Sequence, residues 1–502
     1  MKLYSKDKSF YRKVFILALP IAMQSLITIG VNMLDTIMVG SLGDDTLSAT
    51  SLANSFISIY HIFCMGLGMG ASVLVSRYWG MKRAAEDEVA RLQNGNNEGF
   101  AIISDGNGYY AANDSPEIKE SLKKAENAGH ALKQTVSMML RITLILAALF
   151  ALITLLMPGV LMKMYTKEAE IIRLGSIYFE YSVVTYFFLG ASLVCTIVLR
   201  SVGQVKLPLF VSIGAFFVNL GANYTLIFGK FGAPKMGIAG AALGTLIARV
   251  FEATMICGYL LLKDECIRFR LKDLFMETRS LIGEYLRISI PVLISDGILA
   301  FGNNSVAMVI GHLGGTFVAA NAITSVTQQL STVVIQGVSQ AGAIVTGMTL
   351  GEGDRDKTMK QGYLFFGLGI ALGTISAAFI MLASEPIIAY YDNVSEETVA
   401  IARQLMAAIS LIIVFQGTNS IMTKGVLRGG GDTKMLMITD NIFLWVLAIP
   451  LGILAGFVFH WSAFAIYICL KSDQIVKTVW AFLRLRSGKW IKKISTGKAK
   501  AA

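Results

Sequence analysis

Asp35 is the only acid between Asp7 and the Asp44-Asp45 pair, and it lies in an apolar run that begins near Val14 and closes at Gly40. About 20 apolar residues span a bilayer, so this run is long enough to cross one. A carboxylate near the centre of such a helix costs about 2.5–3.5 kcal/mol on insertion scales and needs a partner or a task. Two tasks fit. One is a hydrogen bond between helices; the other is reversible binding of a proton or cation that powers transport.

Other polar groups interrupt later apolar runs. The first half of the chain has Glu180, Asn219, Asn223, Thr245, Arg249 and Glu252; the second has Asp296, Asn303, Asn304, Gln416, Asn419, Lys424 and Asp440. Asn219 and Asn223 are four apart and share a helix face. A carboxylate, two carboxamide oxygens and a hydroxyl are hard oxygen ligands that suit Na⁺ or relay a proton. Arg249 and Glu252, three apart, are expected to pair with each other. Lys424 lies within a turn of Arg428 and is expected to snorkel toward the cytoplasmic end. His61 and His312 stand alone and receive no role.

Enzyme chemistry finds no support. There is no Gly-x-Ser-x-Gly, no His-Glu-x-x-His and no Walker A, and four histidines leave little for metal catalysis. Gly66-x-Gly68-x-Gly70 has every-other spacing within a helical run, which favours close helix packing over a nucleotide loop. The five cysteines (Cys64, Cys195, Cys257, Cys266, Cys469) lie within or beside apolar segments at no metal-like spacing, and read as small buried hydrophobes.

The elements that hold these groups are membrane helices. Of 502 residues, 54% are hydrophobic and 15% charged, well below the charge of a soluble domain. Apolar stretches of spanning length fall at 12–40, 46–78, 132–158, 168–200, 207–229 and 237–262, then at 281–311, 317–349, 358–383, 398–427, 435–457 and 460–483. The expected fold is an all-α membrane protein of twelve transmembrane helices in two six-helix lobes. The net charge of +11 does not imply nucleic acid, because the basic residues fall in short gaps between apolar runs. They cluster at Lys2–Lys13, at Arg200 and Lys206, at Lys263–Arg279 and in the tail, while alternate gaps carry Asp44-Asp45 or Glu385, Asp392, Glu396 and Glu397. By the positive-inside rule both termini are cytoplasmic, in a multi-pass protein of the plasma (inner) membrane. The first run is too long for a cleavable signal.

The two sets of six are copies. A shift of 271 residues places Pro20 on Pro291, Asn32 on Asn303 and Gly40-Ser41-Leu42-Gly43 on Gly311-His312-Leu313-Gly314. A shift of 228 places Val198-Leu199-Arg200 on Val426-Leu427-Arg428. Both copies start on the same side, so the repeat is parallel, of the kind that encloses a central substrate site and moves by alternating access. The difference between the shifts assigns the first copy an insertion at about 84–128. It is polar, and reads as a short helix, a hairpin turning at Asp105-Gly106-Asn107-Gly108, and a second helix capped by Asp114. An EF-hand there fails, since Tyr110 and Pro116 occupy positions that need Gly and Glu. The domain plan is therefore an N-lobe at 1–262 carrying that insertion, a cytoplasmic linker at 263–280, a C-lobe at 281–486 and a basic tail at 487–502.

Leu34-Asp35-Thr36-x-Met38-Val39-Gly40 resembles a signature of the multidrug and toxic compound extrusion (MATE) transporters. So do Val198-Leu199-Arg200-Ser201-x-Gly203 with its copy, and Gly240-Ala241-Ala242-x-Gly244-Thr245. The resemblance covers the chain apart from about 84–128. It implies a V-shaped, two-lobed antiporter that expels bulky, often cationic or amphipathic compounds against H⁺ or Na⁺. It also implies an N-lobe cation site at Asp35, Asn219, Asn223 and Thr245, with Asn223 where many relatives carry Asp. The sodium-coupled branch places acids in helices 7 and 10; here a C-lobe polar set would draw on Asp296, Asn303 and Asp440, as 398–427 holds no acid. Pro20 removes a backbone hydrogen bond within helix 1 and offers a hinge. The expected partners are drug-like small molecules and membrane lipids, with no nucleic acid, no cofactor beyond the coupling ion, and a monomeric chain. The alternative is a flippase or exporter of a lipid-linked or metabolite substrate in the same superfamily. A flippase calls for a strongly cationic cavity, whereas the mid-helix charges here are mixed.

Overall fold

The computed structural model describes residues 8–95, 103–104, 109–110, 116–389 and 395–493. Ten of its helices are long and apolar enough to cross a membrane. They begin with α1 (Lys8–Gly40), α2 (Asp44–Gly95) and α3 (Pro116–Leu156), and the short α4 (Pro158–Lys163) follows. An eleventh span is broken: α5 (Ala169–Ser182) and α6 (Thr185–Ser201) meet at a 57° bend. The sequence predicts one straight stretch at 168–200. No Pro or Gly marks the break; Val183, Val184 and Thr185 are β-branched, and the Ser182 hydroxyl donates to the Tyr178 carbonyl at 2.7 Å, both of which disfavour a straight helix.

The chain continues through α7 (Lys206–Phe228), α8 (Ile238–Leu262), α9 (Arg279–His312), α10 (Gly315–Gly351), α11 (Arg355–Ala389) and α12 (Glu396–Ser420). From there the regular winding loosens. Helix α12 passes into a π-helical turn at Ile421–Leu427, and α13 (Thr433–Ile442) and α14 (Ile449–Ile453) alternate with π segments at Phe443–Ala448 and Leu454–Val458. The last apolar stretch is α15 (Ala463–Leu470) and α16 (Ser472–Ser487), and completes the twelve.

Helices α2 and α3 run past their apolar portions. The predicted short helix after residue 84 is not separate: α2 continues unbroken to Gly95, and α3 starts at Pro116. Ala85 and Val89 on one side, Ile118 and Ala125 on the other, are buried between the extensions, and the Ser121 hydroxyl donates to Glu88 Oε2 at 3.1 Å. Ile103–Ser104 and Tyr109–Tyr110 pair antiparallel as β1 and β2. The predicted turn at 105–108 and the Asp114 cap lie outside the described residues.

The described chain packs as two compact units, one of residues 8–22 with 290–493 and one within 23–289. The division falls inside α1 two residues after Pro20, and inside α9 one residue before Pro291. These two prolines are the pair that the internal repeat superposes. In the first unit α1 approaches α10 closely: a Cβ on Gly337 would stand 2.9 Å from the Ala22 Cβ.

Candidate functional site

The site lies within the Met23–Ser289 unit. Helix α7 turns Asn219 and Asn223 inward, 5% and 1% exposed, and α8 packs along it. The approach is set by glycines of the Gly240-Ala241-Ala242-x-Gly244-Thr245 segment. A Cβ on Gly240 would stand 2.6 Å from the Leu226 carbonyl oxygen, and one on Gly244 would strike the Asn223 side chain. Only residues without a side chain let α8 sit this close, and that proximity brings Thr245 to the same wall as the two asparagines.

Asp35 reaches this wall from α1. Asn223 Nδ2 donates to Asp35 Oδ1 at 2.6 Å and lies 3.3 Å from Asn219 Oδ1. Asn223 Oδ1 is buried and has no partner among the described residues. Asp35, Asn219, Asn223 and Thr245 together line a cavity of about 410 Å³. The four residues expected to form the N-lobe site are thus brought together. Their oxygens are of the hard kind that suits a monovalent cation, and the buried amide oxygen of Asn223 faces Gly244 of α8.

The same cavity carries charges of both signs. Arg249 Nη1 donates to Glu252 Oε2 at 2.7 Å, the expected pairing. His61, assigned no role from sequence, stands in the wall, as do Asn54 and Tyr178. The Tyr178 hydroxyl donates to Asn54 Oδ1 at 3.3 Å, linking α5 to α2 behind Thr245. Sequence reasoning missed these three because a lone His, Asn or Tyr in an apolar run has no pattern. Further along α1, the Gln24 amide donates to the Ser212 hydroxyl at 2.7 Å and accepts from Arg200, which ties α1, α6 and α7 into one frame.

The second polar set is not gathered. Asp296 accepts from Arg428 Nη2 at 3.2 Å, Asp440 pairs with Lys477 at 3.5 Å, and Asn303 is exposed. Each stands in a different setting. Lys424 is exposed on its π turn. All five cysteines are free, with the Cys257 and Cys195 sulfurs 3.3 Å apart.

The MatE family model matches residues 20–90, 125–225 and 282–484. The chain belongs to the MatE family. It is a multi-pass membrane transporter, not an enzyme; of the two internal stretches the model skips, 91–124 falls within the polar insertion and 226–281 contains α8. It is 25% identical over 459 residues to the multidrug resistance protein NorM of Burkholderia vietnamiensis, covering 89% of this chain and 86% of that protein. Among solved structures, the Vibrio cholerae MATE transporter VcmN matches with a TM-score of 0.78 at 16% identity, over 96% of this chain and 97% of that one. An outward-facing multidrug resistance MATE family transporter of the MOP superfamily matches at 0.76 and 18% identity, over 95% and 96%. These structural likenesses speak to the all-α, twelve-helix fold.

Proposed function

We propose that this transporter is a secondary-active multidrug exporter of the plasma membrane, exchanging bulky cationic or amphipathic compounds for inward H⁺ or Na⁺. Asp35 is its coupling carboxylate, and Asn219, Asn223 and Thr245 complete the cation site. One observation carries the reading: the 2.6 Å bond from Asn223 to Asp35 in the wall of a cavity large enough for a drug-sized guest. The name of the Burkholderia relative supports drug export. A flippase would need an excess of cationic groups, and the cavity's Arg249 is already paired with Glu252.

The mechanism follows from competition. In the outward-open state Asp35 takes up H⁺ or Na⁺, α1 changes its packing and the cavity contracts around the drug, which leaves. The ion drives this only by binding the two conformations unequally. Pro20 supplies the bend, both termini are cytoplasmic, and the chain acts as a monomer among membrane lipids.

The test is export of ethidium from proteoliposomes under a pH gradient or a Na⁺ gradient imposed separately, for wild type and Asp35→Asn. One gradient should drive export, and the substitution should abolish it. Undiminished gradient-driven export by the folded Asp35→Asn protein would overturn the assignment.

A further inference from the structure

The segment that joins α8 to α9 is held against α2 and α3, near the ends of their apolar portions. Lys82 Nζ donates to the Cys266 carbonyl at 3.0 Å, Gln134 Nε2 to the Glu277 carbonyl at 2.7 Å and the Ser137 hydroxyl to the Leu274 carbonyl at 2.9 Å. Arg141 spends its guanidinium on the Leu274 and Met276 carbonyls, and Lys133 Nζ lies 3.2 Å from Asp273 Oδ2. Ile267 and Phe269 are buried, and the buried Asp264 accepts from the backbone amides of Ile267 and Arg268. The segment is therefore a fitted strap.

That fit leaves large apolar side chains outside. Leu271 is 65% exposed and Phe275 81% exposed, at the two ends of the 3₁₀ turn Leu271–Phe275, and Leu262, the last residue of α8, is exposed as well. The Leu274 carbonyl and the Asp273 carboxylate fix the turn on α3, so the two side chains are held out. Their height is set by the same bonds: Ser137 and Arg141 stand where the apolar stretch of α3 begins, the level at which a spanning helix meets the headgroups. Lys263, Lys272 and Arg279 are exposed and in no ion pair among the described residues, and the exposed Arg270 holds the Leu261 carbonyl at 2.7 Å. Of the four acids in the strap, Asp264 is buried and Asp273 is paired with Lys133, which leaves Glu265 and Glu277 at the surface.

We propose that this strap is a docking surface for anionic phospholipid. Leu271 and Phe275 enter the acyl boundary of the leaflet on that side, and Lys263, Lys272 and Arg279 hold headgroup phosphates. The apolar pair by itself would accept any bilayer; the unpaired cations beside it in the chain select a negative one. A soluble protein fits the surface less well, because the strap runs directly from one spanning helix to the next and is tied down along α3. Lipid held here fixes the end of α8, the helix that bears Thr245, at the bilayer surface. Any effect on export rests on the function proposed above; the binding itself needs only a chain that spans a membrane.

The test places a fluorophore on the strap. The full chain with Phe275→Trp, an exposed position that tolerates the larger ring, is reconstituted in nanodiscs of phosphatidylcholine with a minor fraction of phosphatidylglycerol. Bromine is carried on the acyl chains of one lipid at a time, at equal mole fraction, and the emission of the five native tryptophans is subtracted with the wild-type chain. Brominated phosphatidylglycerol should quench the added tryptophan several-fold more than brominated phosphatidylcholine, and Lys263→Gln with Lys272→Gln should equalise the two. Equal quenching by both lipids before those substitutions overturns the anionic site. A tryptophan that aqueous iodide quenches and neither lipid does overturns the membrane contact and points to a protein partner. Should the lysine variant fail to fold, the Phe275→Trp chain in high salt decides: the preference should fade as exposed charges are screened, and a preference that persists overturns the role of the cations. No step reads export, so failure here and failure of the Asp35 assignment give different results.

Discussion

Asn223 holds Asp35 by a 2.6 Å hydrogen bond from its amide, and the two residues are 188 apart in the chain. The bond joins the helix that bears the lone acid to the helix that bears both asparagines. It is charge-assisted when Asp35 is ionised, which places it among the stronger hydrogen bonds in proteins.

Removing that donor should tighten the hold on a coupling proton, because the bond is made to the ionised carboxylate. A hydrogen bond to a charged group contributes about 1.5–3 kcal/mol. Asn223→Ala is therefore expected to lower the half-saturating concentration of a coupling proton by about 10- to 100-fold, whereas a coupling Na⁺ would lose an oxygen ligand and bind more weakly. The measurement is initial export rate against ion concentration in proteoliposomes; an unchanged half-saturation point would remove Asn223 from the site.

The Gly240 contact makes a separate, structural prediction. Gly240→Ala drives a methyl toward the Leu226 carbonyl, and overpacking of this kind costs about 1–3 kcal/mol. Its Tm in detergent should fall by several degrees. Gly221→Ala, with nothing within 4 Å of the added methyl, should melt like wild type.

Arg249 is the cation that balances Glu252 in the cavity wall. Arg249→Gln leaves the cavity more negative, so a cationic dye should bind several-fold more tightly while a neutral one changes little. Comparing KM for the two dyes checks this, and equal shifts would show that the pair acts only on packing.

Pro20 lies inside α1, and proline in a helix interior costs about 3 kcal/mol relative to alanine. Pro20→Ala should therefore melt at the same or a higher temperature yet turn over more slowly, with KM preserved. A faster transporter would deny the bend a role.

The twelve helices were legible because long apolar runs leave few alternatives, and the repeat was legible because Pro20 and Pro291 stand among matching glycines. The wall of Asn219, Asn223 and Thr245 was legible from a shared helix face together with a family resemblance. What escaped had no local signature. The bend after Ser182 uses neither Pro nor Gly, and the π segments around Asp440 look like ordinary apolar helix. Asp473 and Lys477 fall among Lys471 and Arg484, so the stretch reads as a charged helix end, although the fold seals both residues inside. Sequence records that a charge is present; burial is decided by helices far away in the chain.

The unbroken α2 has a mechanical consequence. Its 52 residues make a rod about 78 Å long at helical rise, far more than the roughly 30 Å of a bilayer's hydrocarbon core. Its outer part is braced by α3 through the Ser121–Glu88 bond and the buried seam beneath it. Such a rod is a lever arm. A tilt of ten degrees about its middle would carry each end through about 7 Å, so a spin label near Glu88 would magnify motions of the core that are too small to see at Asp35 itself.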